Sequence, residues 1–364
     1  MIYKENWKET KERFNGWWKH SNTDRPLMRI VARRKKPLGM PEEVWEPKTP
    51  KEKYLDVERK VKRLRNYCKT HIFMAEAFPS LDINIGAGSM AVYLGLEPEF
   101  RWDTVWFKSC IDDWDKWETL EYDSHNYWWA QHLDLIKRGK ELAQDEFMVA
   151  IPDIIENLDI LSAMRGAQNL CFDIMDQPKL VKDYIHQLDE LYFKYYDSMY
   201  NITKNKDNSS IYTTFSIWGP GKTAKIQCDF SAMISQDQFR EFALPSLRKQ
   251  CQKLDFSLYH LDGPNAIKHV DALMEIEELD ALQWTAGVGQ PDGGNEKWYP
   301  IYDKVMAANK SLWIMLSDGD INHWVDNADK LVKRYGSERL YLLFPGMEEE
   351  DAQCLMKKAE KDWK

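Results

Sequence analysis

The chain has 364 residues, 43% of them hydrophobic and 30% charged, and carries a net charge of −9. That composition excludes a disordered or fibrous chain, and the acidic balance excludes an extended nucleic-acid surface, the densest basic run being only Arg33-Arg34-Lys35-Lys36. The apolar runs are too short to span a bilayer, Met1–Asn6 has no apolar signal core, and six cysteines without paired spacing read as reduced thiols, so a cytoplasmic protein is expected.

Along the chain, residues 1–23 read as an N-terminal helical extension, with Trp7, Phe14, Trp17 and Trp18 on its apolar face. Asp24-Arg25-Pro26 leads into a strand over Leu27–Ala32. Pro-punctuated residues 37–50 precede a charged helix over Lys51–His71 and a strand over Leu81–Ile85. Residues 99–129 form an aromatic-rich stretch without a clear period, which reads as an insertion or lid. A helix over Tyr127–Leu142, a strand over Phe147–Ile151 and a long helical region over Leu158–Asn201 follow, the last interrupted at Gln177-Pro178.

The second half alternates at shorter intervals. Strands are expected over Ile211–Ser216, Ala224–Cys228, Phe256–His260, Ala281–Trp284, Leu312–Leu316 and Leu340–Phe344, with a helix over Ser235–Lys253 capped by Ser235. About eight strand–helix units with neither GxGxxG nor GxxxxGK[ST] favour a closed (β/α)8 TIM-type barrel over a nucleotide-binding sheet, in a single domain spanning residues 1–364.

In such a barrel the chemistry gathers where the strands end. Tyr259-His260-Leu261-Asp262-Gly263-Pro264 places an imidazole and a carboxylate two residues apart at a strand end, hence on one side of it. That pair suits acid–base work or a cation, or equally a satisfied polar pair closing a turn. Asp153 follows another strand, and Gln227 and Asp229 flank Cys228 at the end of a further one. The rings of Trp218, Tyr259 and Trp284 lie at strand ends, where they suit a flat or methylated cationic substrate.

Four motifs in order resemble the uroporphyrinogen decarboxylase superfamily, which includes corrinoid-linked methyltransferases. They are Asp24-Arg25-Pro26-Leu27-Met28; Ser80-Leu81-Asp82-Ile83 with Leu94-Gly95-Leu96-Glu97; Leu161–Gly166 with Asp176-Gln177-Pro178; and Phe239-Arg240-Glu241-Phe242-Ala243-Leu244-Pro245. The resemblance runs from Asp24 to Gly346 and implies an α/β barrel with a helical N-terminal extension. It implies a decarboxylase site at Asp82 with first-strand arginines such as Arg29, but the family's arginine loop, a tyrosine near Ser162 and a histidine near Pro345 are missing.

The methyltransferase branch binds zinc through His-x-Cys and a late Pro-Gly-Cys. Here those places read His260-Leu261-Asp262 and Pro345-Gly346-Met347. A soft zinc centre is therefore disfavoured, while a harder site of His260, Asp262 and Glu348 for zinc or another divalent metal stays open beside a metal-free acid–base pair. The resemblance thus implies transfer of a methyl group from a small methylated substrate to a corrinoid. The corrinoid would be carried by a partner protein, since no cobalamin-binding motif occurs. His260, Asp262 and Asp82 are the candidate catalytic residues. Trp218, Tyr259, Trp284, Asp229, Gln227, Asp153 and Arg29 are the candidate substrate contacts. A decarboxylase or lyase acting on a carboxylated ring and a non-catalytic binding protein are the rival readings, and homodimerisation is left open.

Overall fold

The computed structural model describes residues 1–117 and 119–364. The first half contains helix α1 (Trp7–Trp18), strand β1 (Leu27–Arg33), helices α2 (Pro50–Leu55) and α3 (Val57–Thr70), strands β2 (His71–Ala75) and β3 (Ser80–Leu81), helix α4 (Ser89–Tyr93), strands β4 (Pro98–Phe100) and β5 (Val105–Phe107), helix α5 (Tyr127–Ala143) and strand β6 (Met148–Val149). Helices α6 (Asn157–Arg165), α7 (Ala167–Asp176) and α8 (Pro178–Thr203) lead into strands β7 (Ser210–Tyr212), β8 (Ile217–Gly219) and β9 (Thr223–Gln227). Helices α9 (Gln236–Gln238) and α10 (Leu244–Lys253), strand β10 (Phe256–Asp262), helix α11 (Val270–Met274), strand β11 (Ala281–Thr285), helix α12 (Tyr299–Ala307), strand β12 (Ser311–Met315), helix α13 (Ile321–Tyr335), strands β13 (Leu340–Leu343) and β14 (Met347–Glu348) and helix α14 (Glu349–Asp362) complete the chain.

The result is a mixed α/β protein around a mostly parallel sheet. Its strands lie in the order β14-β1-β13-β12-β11-β10-β9, all neighbours parallel, and β2 joins β1 antiparallel. Strands β3 and β6 form a separate parallel pair, and Ile151 makes a single parallel bridge to Tyr212. Strands such as β12, Ser-Leu-Trp-Ile-Met, read as continuous apolar runs because helices cover the outer face while the inner face is enclosed.

Several expectations need correction. The helix expected over Lys51–His71 breaks at Asp56, whose carboxylate caps α3, and His71–Ala75 turns back as a strand beside β1. The strand expected over Ile211–Ser216 is one arm of the antiparallel β7–β8 hairpin. The aromatic-rich stretch contains the β4–β5 hairpin and a short 3-10 turn at Trp114–Lys116; its position 118 lies outside the described residues. Trp114 packs against Tyr184 with ring centroids 4.5 Å apart, and Phe107 lies against Gly88, where φ is +85° and a Cβ would meet its ring at 3.2 Å. The Ser235 cap and Pro178 at the start of α8 are as expected.

Helix α1 covers the end of the sheet where the strands begin. The indole of Trp17 donates to Arg339 O at 3.1 Å, and Ser311 Oγ, at the first residue of β12, donates to Trp17 O at 3.2 Å. Glu76, only 1% exposed, binds this extension to β1. Its carboxylate accepts both Arg25 Nη atoms at 2.7 and 2.9 Å and the Met28 amide at 2.8 Å, and pairs with Arg13 of α1 at 3.0 Å. Removing one member strands the buried guanidinium of Arg25. Glu76→Ala is therefore expected to cost about 3–5 kcal/mol in urea unfolding, well above the effect of truncating an exposed ion-pair carboxylate such as Glu275.

Candidate active site

Strand register decides which side chains meet. Gln227, His260, Gln283, Trp313 and Tyr341 are paired across β9, β10, β11, β12 and β13, and so share one level of the sheet's inner face. Two residues further along each chain, Asp262 is paired with Thr285 on the same face, and Asp229 follows β9 by two residues. One ligand atom each from Asp229, His260 and Asp262 fall within 4.8 Å of one another. An imidazole and two carboxylates at that spacing can hold a divalent cation or pass a proton.

Below them lies a buried polar network. Lys225, two residues before Gln227 on the same face, is 1% exposed and pairs with Asp153 at 2.8 Å. Its ammonium also donates to Gln227 Oε1. That turns the Gln227 amide nitrogen to donate to both Asp159 and Asp229, each at 2.9 Å. Asp159 further accepts the backbone amides of Asp229 and Phe230 at 2.9 and 2.8 Å, and Glu156 accepts the amide of Gln227. The segment bringing Asp153 and Glu156 here carries left-handed backbone at Ile155 (φ 41°) and Asn157 (φ 43°), uncommon for non-glycine residues and strained for a β-branched one.

Electrostatics follow from that crowding. Burial would lower the Lys225 pKa, but Asp153 and Glu156 together raise it. Burial pushes Glu156 well above the usual carboxylate range despite Lys225. Asp229 keeps an exposed edge, yet its carboxyl is pushed up to about 7, first by poor solvation at the strand end and then by Asp159. Burial lowers the His260 pKa, opposed by its contact with Gln283.

A cavity of about 640 Å³ lies beside this cluster and reaches Gln283 and Thr285. Phe215 forms part of its wall and lies 5.0 Å, ring to ring, from His260; Trp313, whose indole donates to Phe215 O at 2.8 Å, is another part. Arg29 lines the same cavity from β1, and Trp284 contributes to its wall while its ring packs on Trp298 at 4.9 Å.

The structure brings His260, Asp262, Asp229, Gln227 and Asp153 together and separates others from them. Trp218 is core: its ring packs on Trp7 and Phe14, because β8 runs under α1. Tyr259 is buried on the face of β10 opposite His260, as strand alternation requires. Asp82 lines a different, smaller cavity with Lys60 and Asn84, where burial raises its pKa. Glu348 is not the third potential ligand: it is exposed on β14 beside Arg33, five strand steps from β10, whereas Asp229 follows the adjacent strand. Lys225, Asp159 and Gln283 were not singled out from sequence. A signal existed in Lys225-Ile226-Gln227 and Gln283-Trp284-Thr285, where polar residues alternate with apolar ones in otherwise buried strands.

No family model matches the chain, and no curated protein sequence does. Among solved structures, a methyltransferase from Methanosarcina mazei aligns over 97% of this chain and 98% of its own, with a TM-score of 0.63 at 12% identity. At that identity the likeness is one of fold.

The raised Asp229 pKa has a consequence for stability. The folded protein keeps the Asp229 proton up to a pH of about 7, whereas an unperturbed carboxyl releases it near 3.8. The native state thus binds more protons in that window, and the Asp229 contribution to stability falls as pH rises through it. Asp229→Asn is expected to melt above the parent at pH 8 and to approach it near pH 4, as read by thermal unfolding across that range.

Proposed function

We propose that the protein is an enzyme that moves a methyl group from a small methylated substrate to a corrinoid carried by a partner protein. The observation that carries this reading is the Asp229–His260–Asp262 cluster at strand ends, beside an aromatic-walled cavity, on a fold similar to that of a methyltransferase. In this reading the parallel strands β1, β3, β6 and β9 to β13 make a (β/α)8 barrel. The β3–β6 pair and the Ile151–Tyr212 bridge support closure, because they lie in sequence between the two ends of the large sheet.

The chemistry demanded is specific. The bond between methyl carbon and heteroatom breaks with its electron pair left on the heteroatom, and the methyl passes to a nucleophilic cobalt. An alkoxide or amide leaves poorly, so the heteroatom needs a proton or a Lewis acid. His260, Asp229 and Asp262 fit either need. One nitrogen and two carboxylates suit a borderline or hard divalent cation better than they suit a soft zinc centre built on thiolates, and such a cation would supply the Lewis acidity. Without it, a carboxyl that keeps its proton to about pH 7, such as Asp229, is a competent acid. Aromatic walls at Phe215 and Trp313 suit a compact methylated substrate.

Decarboxylation of a polycarboxylated ring is less well served. Asp82 faces the separate Lys60 cavity, and among the described residues Arg29 is the one arginine or lysine lining the larger one. Such a ring needs several cations around it.

The deciding assay mixes the protein with reduced cobalamin and a panel of methyl ethers, amines and thiols, and follows loss of the reduced cobalamin absorbance. At least one donor is expected to be consumed, with the rate lowered about 100-fold or more in His260→Ala. Turnover of uroporphyrinogen with no consumption of reduced cobalamin would reverse the assignment. Metal analysis of protein purified without added metal is expected to show near-stoichiometric divalent metal that His260→Ala loses; metal-free, active protein would leave the acid role to Asp229.

A further inference from the structure

The two residues flanking His260 at its own level of the sheet are both glutamines, Gln227 on β9 and Gln283 on β11. Each is buried, at 6% and 2% exposure. A buried carboxamide costs stability unless its bonding capacity is used. Gln227 spends its capacity on Lys225, Asp159 and Asp229. Gln283 spends its own on two partners: its Nε2 donates to Thr285 Oγ1 at 2.9 Å, and its Oε1 faces Nδ1 of His260.

A carboxamide oxygen can only accept, so the nitrogen facing it must carry the hydrogen. A neutral imidazole protonated at Nδ1 keeps its lone pair at Nε2. We infer that Gln283 is a positioning residue that holds His260 as the Nδ1–H tautomer, leaving the Nε2 lone pair for the cluster with Asp229 and Asp262. The inference rests on the reading of His260 as ligand or base, and supplies the orientation that either role needs. Thr285 is the anchor. It sits two residues beyond Gln283 on the same face, and its hydroxyl oxygen takes the amide N–H that would otherwise turn towards the imidazole. Carboxamide partners of this kind fix the ring plane of a histidine as well as its tautomer.

The test reads the tautomer directly and needs no turnover. The full chain, labelled with 15N at histidine and free of metal at pH 8, is measured by long-range proton–nitrogen correlation. The chain has eight histidines, so the signal absent from His260→Ala identifies the site and the other seven report that the fold is intact. The parent is expected to show a protonated Nδ1 and a lone-pair Nε2 at His260. Gln283→Leu removes the acceptor and is expected to move the ring towards Nε2–H, while Gln283→Glu, which keeps an acceptor, retains Nδ1–H. Thr285→Val releases the amide and is expected to reduce the Nδ1–H population even if Gln283→Leu folds poorly. An Nε2–H ring in the parent, or a tautomer unchanged in both Gln283→Leu and Thr285→Val, would overturn the inference. Absence of methyl transfer with the expected tautomer pattern rejects the methyltransferase reading alone. Methyl transfer with an Nε2–H ring rejects this inference alone.

Discussion

A lysine enclosed in the protein interior sets the terms for everything around it. Lys225 can stay charged at 1% exposure only with an acidic partner beside it, and Asp153, paired with it at 2.8 Å, is that partner, with Glu156 close by. The requirement propagates outward. The ammonium orients the Gln227 amide, that amide holds Asp159 and Asp229, and Asp229 stands next to His260 and Asp262. The left-handed backbone at Ile155 and Asn157, of a kind that costs on the order of 1–3 kcal/mol per residue, is tolerated because it carries Asp153 and Glu156 to the ammonium.

The same arrangement leaves acidic groups in excess of basic ones. Asp153, Glu156, Asp159, Asp229 and Asp262 gather around a single buried lysine and one imidazole, and burial first, with Asp159 second, makes Asp229 retain its proton unusually long. Such crowding is unfavourable for stability alone, and it suits the proposed role, in which the cluster holds a cation or a transferable proton. Rigid strands carry the central groups, with His260 and Gln283 inside β10 and β11, so their spacing is set by the sheet instead of by a mobile loop.

The N-terminal seal and the candidate site lie at opposite ends of the sheet. Helix α1, with Trp17 and Trp18 in the core and Glu76 joining Arg13 to Arg25, closes the end where strands begin. The indole of Trp18 donates to Trp218 O at 2.8 Å, which places Trp218 in this seal and away from the cluster. The cavity lies towards the other end, where Gln283, Thr285 and the loop from Ala286 to Gly293 contribute its wall.

Much of the molecule was legible in the sequence alone. The alternation of apolar strands with helices, the N-terminal amphipathic helix, the Ser235 cap and the restart at Pro178 are local patterns, encoded in periods of 2 and 3.6 residues and in capping chemistry. The pairing of His260 with Asp262 was legible for the same reason, since a strand places residues two apart on one side. What only the tertiary structure decided is lateral: that Asp229 and not Glu348 completes the cluster, that Trp218 and Tyr259 face away from it, and that Gln227 and Gln283 flank the imidazole. Those relations depend on the order and register in which distant strands hydrogen-bond, and a local pattern carries no record of which strand lies beside which.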